Sequence, residues 1–314
     1  MRNERLSVNS ADEAAAEMVW LLGQPHLADY LDFVKEKVVG GAALSPKSLA
    51  DEWRAANDHY YDLEQSEAGA ADGVESLPLP AEMRPLARRL RASRYFRDAF
   101  DTLPARIRMV ELDRLIVSQV HVERRFVDAL CAGLDPRAGA ESLFRFCHPA
   151  ERKVAPVRVE RVGADRFLFA SESTDFRVNP TALLDAFQIE RLASFGPKSA
   201  AVALVVGFGS NFLSVIASGG RMVLHNGYHR AYALRAAGFT HAPCVVTEVT
   251  RKDELKVAAC DKVCADPEFY FGASRPPLLR DYFDPKIRKL LPVRRMETLI
   301  EVELKVRSST AVIL

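Results

Sequence analysis

An apolar, strand-like run that ends on a glycine, with a helical pattern starting at that same glycine, limits the folds open to this chain more than any other stretch. Arg221-Met222-Val223-Leu224-His225-Asn226 has strand texture, Gly227 follows, and the helical pattern from Tyr228 to Ala237 stops at Gly238. A strand that becomes a helix at one residue gathers unpaired main-chain N–H groups and the positive end of the helix dipole in one corner. Gly227 has no Cβ to hold an anion off that backbone, and His229 and Arg230 stand in the first helical turn. An arginine fork grips phosphate oxygens two at a time. The stretch therefore predicts a phosphate site made by Asn226, Gly227, Tyr228, His229 and Arg230. Two readings of Tyr228 stand side by side, a ring that stacks on a base or sugar and a packing tyrosine.

A change of texture near Pro104 predicts a helical N-terminal region over 1–104 and an α+β domain over 105–314. In the first part, Ser10-Ala11-Asp12-Glu13 has capping-box spacing ahead of an alanine-rich run to Leu22, which predicts a helix. Ser45-Pro46 opens a second helix, with Leu49, Trp53, Ala56 and Tyr60 along one face. Residues 65–80 read as a loop. A basic helix with Arg88, Arg89, Arg91 and Arg94 is predicted over 83–100. In the second part the pattern predicts a strand at 108–116, a helix at 126–134 and a hairpin inserted near 156–178. It further predicts a helix at 181–195 and a β-rich stretch at 201–224 with a tight turn at Ser218-Gly219-Gly220. Strands at 243–249 and 300–306 complete the pattern. Arg275-Pro276-Pro277 reads as a rigid connector on the surface.

The run Asn226-Gly227-Tyr228-His229-Arg230, with Ala236-Ala237-Gly238 and Pro243-Cys244-Val245-Val246 behind it, resembles the ParB/sulfiredoxin superfamily. ParB-type CTPases carry Gly-Glu-Arg-Arg at this point, sulfiredoxins Gly-Gly-Cys-His-Arg, and the related free-serine kinases Asp-Gly-His-His-Arg. The shared His229-Arg230 pair brings this chain nearer the last two. Val110 to Gln119 is similar to the family's opening strand and the polar loop behind it. The resemblance implies a small mixed sheet with helices that binds a nucleotide (ATP, ADP or CTP) with its phosphates at the Gly227–Arg230 turn and Gln119 nearby. It also implies Mg²⁺ bridging the phosphates, and His229 or Glu123 handling a proton. Tyr228 stands where sulfiredoxins have cysteine, which removes sulfinic-acid reductase chemistry. Asn226 replaces the kinases' aspartate. Read without the family, Glu123 is first of all a helix-start glutamate favoured by the dipole.

Composition narrows the function classes. Of 314 residues, 43 are Lys or Arg and 42 Asp or Glu, a net charge of +1, so a uniformly basic nucleic-acid coat is excluded. The five cysteines are scattered, which predicts free thiols in a reducing, cytoplasmic setting rather than a disulfide framework or a metal site. The start is polar and no apolar run approaches the length of a membrane span. Three functions remain: a nucleotide hydrolase or phosphotransferase; a non-catalytic nucleotide- or anion-responsive module, with a protein partner at the N-terminal region; and a nucleic-acid binder using the Arg88–Arg94 cluster.

Overall fold

Met18, Val19, Trp20, Leu21 and Leu22 are all buried, a consecutive burial that a strand paired on both edges achieves and a surface helix does not. The computed structural model describes residues 16–24, 26–135, 137–149, 154–173, 175–179 and 181–310. In it β1 (Ala16–Leu21) replaces the predicted alanine-rich helix, because pairing on both sides outweighs local propensity. The capping box Ser10–Glu13 lies outside the described residues. After α1 (Leu27–Lys37) comes α2 (Pro46–Ser66), capped as the sequence predicts: Ser45 Oγ accepts from the Ser48 N–H at 3.5 Å and Pro46 opens the helix. A two-residue strand, β2 (Ser76–Leu77), sits in the predicted loop. The single basic helix is two, α3 (Arg84–Ala92) and α4 (Arg94–Ala99). Ser93 adopts extended backbone between them, and its Oγ caps the second by accepting from the Phe96 N–H at 3.2 Å. Arg88, Arg89, Arg91 and Arg94 are exposed.

The chain continues through β3 (Ala105–Glu111), β4 (Ile116–Val117), β5 (His121–Glu123), α5 (Arg124–Ala132) and α6 (Gly139–Cys147). Then come β6 (Arg158–Arg161) and β7 (Arg166–Ser171), the predicted hairpin, followed by β8 (Phe176–Val178), β9 (Ala182–Asp185), β10 (Ala200–Ala203) and β11 (Val206–Phe208). The helix predicted at 181–195 does not form. Its apolar residues do not share one buried face, since Ile189 is buried but Leu183 is 76% and Phe187 85% exposed, and β9 takes its hydrogen bonds from β10 instead. The last elements are β12 (Ser214–Ser218), β13 (Arg221–Asn226), α7 (Tyr228–Ala236), β14 (His241–Glu248), α8 (Lys252–Ala258), α9 (Asp261–Ala265), α10 (Pro267–Phe271), β15 (Arg288–Val293) and β16 (Thr298–Glu303). Gly219 and Gly220, at φ 59° and 79°, make the tight β12–β13 turn, whose two left-handed residues match strand twist.

The fold is α+β. The chain divides into two compact units, one of Met1–Ala150 with Asn211–Arg295 and one of Glu151–Ser210 with Met296–Leu314. The division expected at residue 104 is therefore displaced: β1 pairs with β15 and β5, which binds the N-terminal region into the first unit. The hairpin near 156–178 is part of a larger second unit, where β16 pairs with β7. The first unit holds a six-stranded sheet in the order β2-β3-β14-β12-β13-β4. Its pairs β12–β14 and β13–β4 are parallel and the others antiparallel. Register puts Ile107, Val245, Ser214, Thr247, Ile216, Val223 and Ile116 on one face. Two helical layers cover that face separately. Met83, Ala87, Phe96 and Phe144 pack over Ile107 and Val245, while Leu255, Val263 and Tyr270 pack over Ile216, Val223 and Ile116. Among the described residues no helix is long and apolar enough to cross a membrane.

Candidate functional site

β13 and β4 run parallel, with Val223 opposite Ile116 and Leu224 opposite Val117, so the segments that leave them emerge at the same end. In sheets with parallel strands that end is where ligands collect. Residues 118–123 and 225–230 meet there: the Ser118 N–H donates to the Tyr228 hydroxyl and the Glu123 N–H to His229 Nε2. Gly227 caps α7 at φ 92° and ψ 28°, the left-handed region that only glycine enters freely. A Cβ on it would stand 2.8 Å from Leu213 Cδ1 and 3.2 Å from Leu213 Cα. The glycine is thus required by backbone conformation and by Leu213, a packing reason not visible in the motif. Asn226 Oδ1 accepts the Gly227 N–H at 2.8 Å.

Each side chain of the turn has a structural partner. Tyr228 is buried, and its hydroxyl accepts from the Ser118 N–H at 3.3 Å, bonds Ser118 Oγ at 2.8 Å and donates to the Leu224 carbonyl. Burial, more than any neighbour, pushes its pKa up to about 12. Of its two readings the structure shows the packing tyrosine. His229 Nε2 accepts the Glu123 N–H at 3.0 Å, so the proton of the neutral ring sits on Nδ1. The ring stands edge-on to Phe126 at 5.0 Å. Burial first, then His121 and Arg230, bring its pKa down to about 4. At neutral pH it offers a phosphate no positive charge. Glu123 meets His229 through its main chain. The Gln119 side-chain amide donates to the His121 carbonyl, and the Gln119 carbonyl accepts from the Tyr282 hydroxyl.

Arg230 is held by a residue that sequence reasoning did not find. Its Nη1 donates to the Asn211 carbonyl at 3.0 Å and its Nη2 to Asn211 Oδ1. Asn211 in turn donates its N–H to the Tyr95 hydroxyl at 2.9 Å. No spacing rule links positions 211 and 230, because the contact depends on where the chain re-enters the first unit before β12. His121, from the same segment as Gln119 and Glu123, stacks on Trp20 with ring centroids 5.3 Å apart and planes at 7°. Burial, with Lys262 adding, brings its pKa down to about 4.

Among the described residues no group of three or more His, Cys, Asp or Glu stands where it could hold a metal ion. Those residues therefore offer no ready cluster of that kind for the Mg²⁺ that the resemblance implies. The cysteines are free thiols, Cys147 and Cys244 buried. Compared with protein-family models, with curated proteins and with solved structures, the chain finds no match in any of the three.

Proposed function

We propose that this chain is a non-catalytic binding module of ParB/sulfiredoxin type that takes the phosphate of a nucleotide or phosphorylated small molecule at the Gly227–Arg230 corner. The observation that carries the reading is the bidentate grip of Arg230 on the two oxygens of Asn211. Two oxygens in one guanidinium fork is the arrangement of a bound carboxylate or phosphate. Neutral amide oxygens accept more weakly than anionic ones, so a phosphate that reaches the fork displaces Asn211 with a gain. Asn211 then acts as a built-in stand-in that keeps the arginine extended until ligand arrives. The amides of the nine-residue α7 add their dipole on the same side.

The same geometry favours binding over turnover. Phosphoryl transfer needs a proton acceptor and charge neutralisation at the transferred group. His229 Nε2 already accepts a main-chain N–H, and Tyr228 is locked in the interior. Thermal shift with ATP, ADP, CTP and inorganic phosphate tests the reading. At a ligand concentration about 100 times Kd the stabilisation is about 2.7 kcal/mol. We expect it in the wild type and not in Arg230→Ala. Asn211→Asp, which places a permanent carboxylate in the fork, raises Tm and abolishes the ligand shift. If no phosphate compound stabilises the protein, or if Arg230→Ala leaves the shift intact, the reading fails. Phosphate release that vanishes in Arg230→Ala would establish the hydrolase instead.

A further inference from the structure

Of the five cysteines, all within the described residues, Cys260 is the exposed one, and Cys264 stands half-buried one helical turn behind it. The Cys264 N–H donates to the Cys260 carbonyl at 3.0 Å, which closes the first turn of α9 between them. The Cys264 side chain points back along the helix: its Sγ lies 3.6 Å from the Leu255 carbonyl oxygen and 3.7 Å from that of Ala259, the residue bonded to Cys260. In a regular helix two side chains four apart keep their Cβ atoms about 5–6 Å apart, wider than the about 3.8 Å that a disulfide spans. Cys260 is not in the helix. It precedes α9 with extended backbone at φ −73° and ψ 161°, Ala259 before it is extended at φ −98° and ψ 160°, and α9 is five residues long. These two extended residues between α8 and α9 are the joint at which the pair closes.

We propose that Cys260 and Cys264 form a reversible disulfide by exchange with a small-molecule disulfide of the glutathione kind. The Cys260 thiolate attacks one sulfur of the oxidant, which forms a mixed disulfide and expels one thiolate. The Cys264 thiolate then attacks the Cys260 sulfur, forming the Cys260–Cys264 bond and expelling the second thiolate. Two electrons pass from the pair to the oxidant, which leaves as two thiols carrying the two protons. Exposure sets the order: Cys260 meets the oxidant, and Cys264, whose pKa is raised by burial first and by Cys260 second, resolves the mixed disulfide from one turn away. To reach Cys264, the Cys260 sulfur gives up a contact of 3.7 Å with Ser118 Oγ, the hydroxyl that bonds Tyr228. Cys147 and Cys244 take no part, since both are buried and burial pushes their thiols up. No side chain of the Arg230 fork is involved, and the pair is tested apart from it.

The reduced full chain, incubated with glutathione disulfide, then alkylated and digested with trypsin, decides the matter. Trypsin cuts after Lys262, between the two cysteines, so their disulfide holds two peptides together. We expect that linked pair, lighter by two hydrogen masses than its separate peptides, and we expect dithiothreitol to part it. Cys264→Ser should stop the exchange at a glutathione adduct on Cys260, and Cys260→Ser should remove the link. Should Cys264→Ser fail to fold, Cys264→Ala carries the same comparison. Recovery of both wild-type peptides singly and alkylated overturns the proposal. So does a glutathione adduct that persists on Cys260 of the wild type as it does in Cys264→Ser, because Cys264 would then not reach it. A link found only in covalent dimers on a non-reducing gel would also overturn it, by making Cys260 a thiol that pairs between chains.

Discussion

Arg275 shows how far one residue can sit from its sequence reading. Between Ser274 and two prolines it reads as part of a surface connector, yet it is 1% exposed and among the most deeply buried side chains of the chain. Its charge is compensated from three directions: Asp281 at 2.9 and 2.7 Å, Glu67 at 2.9 Å and the Pro276 carbonyl at 2.8 Å. Asp281 also accepts the Leu278 N–H at 2.8 Å and the Tyr60 hydroxyl at 3.4 Å, which ties α2 to the segment before β15. A buried pair need not outperform apolar residues of equal volume, but removing one partner strands the other charge. Arg275→Met should therefore cost about 3–5 kcal/mol, read as a drop in urea midpoint. Arg275→Met with Asp281→Leu should recover a substantial part of that loss. A single variant within about 0.5 kcal/mol of wild type, the range of ordinary surface changes, would mean that the ion pair contributes nothing.

At the scale of elements, the turn from β13 into α7 was legible because each of its determinants is local: an apolar run, a left-handed glycine, a helix that stops at Gly238. The α2 cap at Ser45-Pro46 and the Gly219-Gly220 hairpin were legible for the same reason. β1 was not, because Met18 to Leu22 looks alike whether it is a helix stripe or a strand with both faces covered, and β15, which decides it, lies far down the chain. The candidate site divides along the same line. Its backbone corner follows from neighbouring residues, whereas Leu213, Asn211, Ser118 and Tyr282, which occupy the side chains around it, arrive from other elements. Gly227→Ala separates the local cause from the distant one. The left-handed backbone alone costs a residue with a Cβ about 1–2 kcal/mol, and the 2.8 Å approach to Leu213 Cδ1 adds a clash. We expect Gly227→Ala to be less damaging in a Leu213→Ala background than in the wild type, by a double-mutant cycle in denaturant. Additive costs would show that Leu213 does not press on the turn.

For the whole molecule, the seven histidines all fall within the unit formed by Met1–Ala150 and Asn211–Arg295, and the other unit has none. Three of them are held neutral. Burial, with His121 and Arg230 adding, lowers His229 to about 4, burial with Lys262 lowers His121 to about 4, and burial with Arg230 lowers His148 to about 3. An unfolded histidine takes its proton near pH 6.5. Between that pH and the folded values the unfolded state binds more protons, so stability rises with pH across this window and is lost as pH falls through it. Each histidine contributes a slope of up to about 1.4 kcal/mol per pH unit. Above pH 5 most carboxylates stay ionised in both states, so the window from 6.5 to 5 isolates the histidines. Both tryptophans, Trp20 and Trp53, belong to the same unit, so intrinsic fluorescence reports its unfolding. Urea titrations followed by tryptophan emission should give a lower midpoint at pH 5 than at pH 7, and His148→Leu should flatten the difference by removing one of the three protons. Equal midpoints at the two pH values would mean that these rings carry charge in the folded chain. In that case His229 would present a cation to the Gly227–Arg230 corner, and the case for turnover there would have to be reopened.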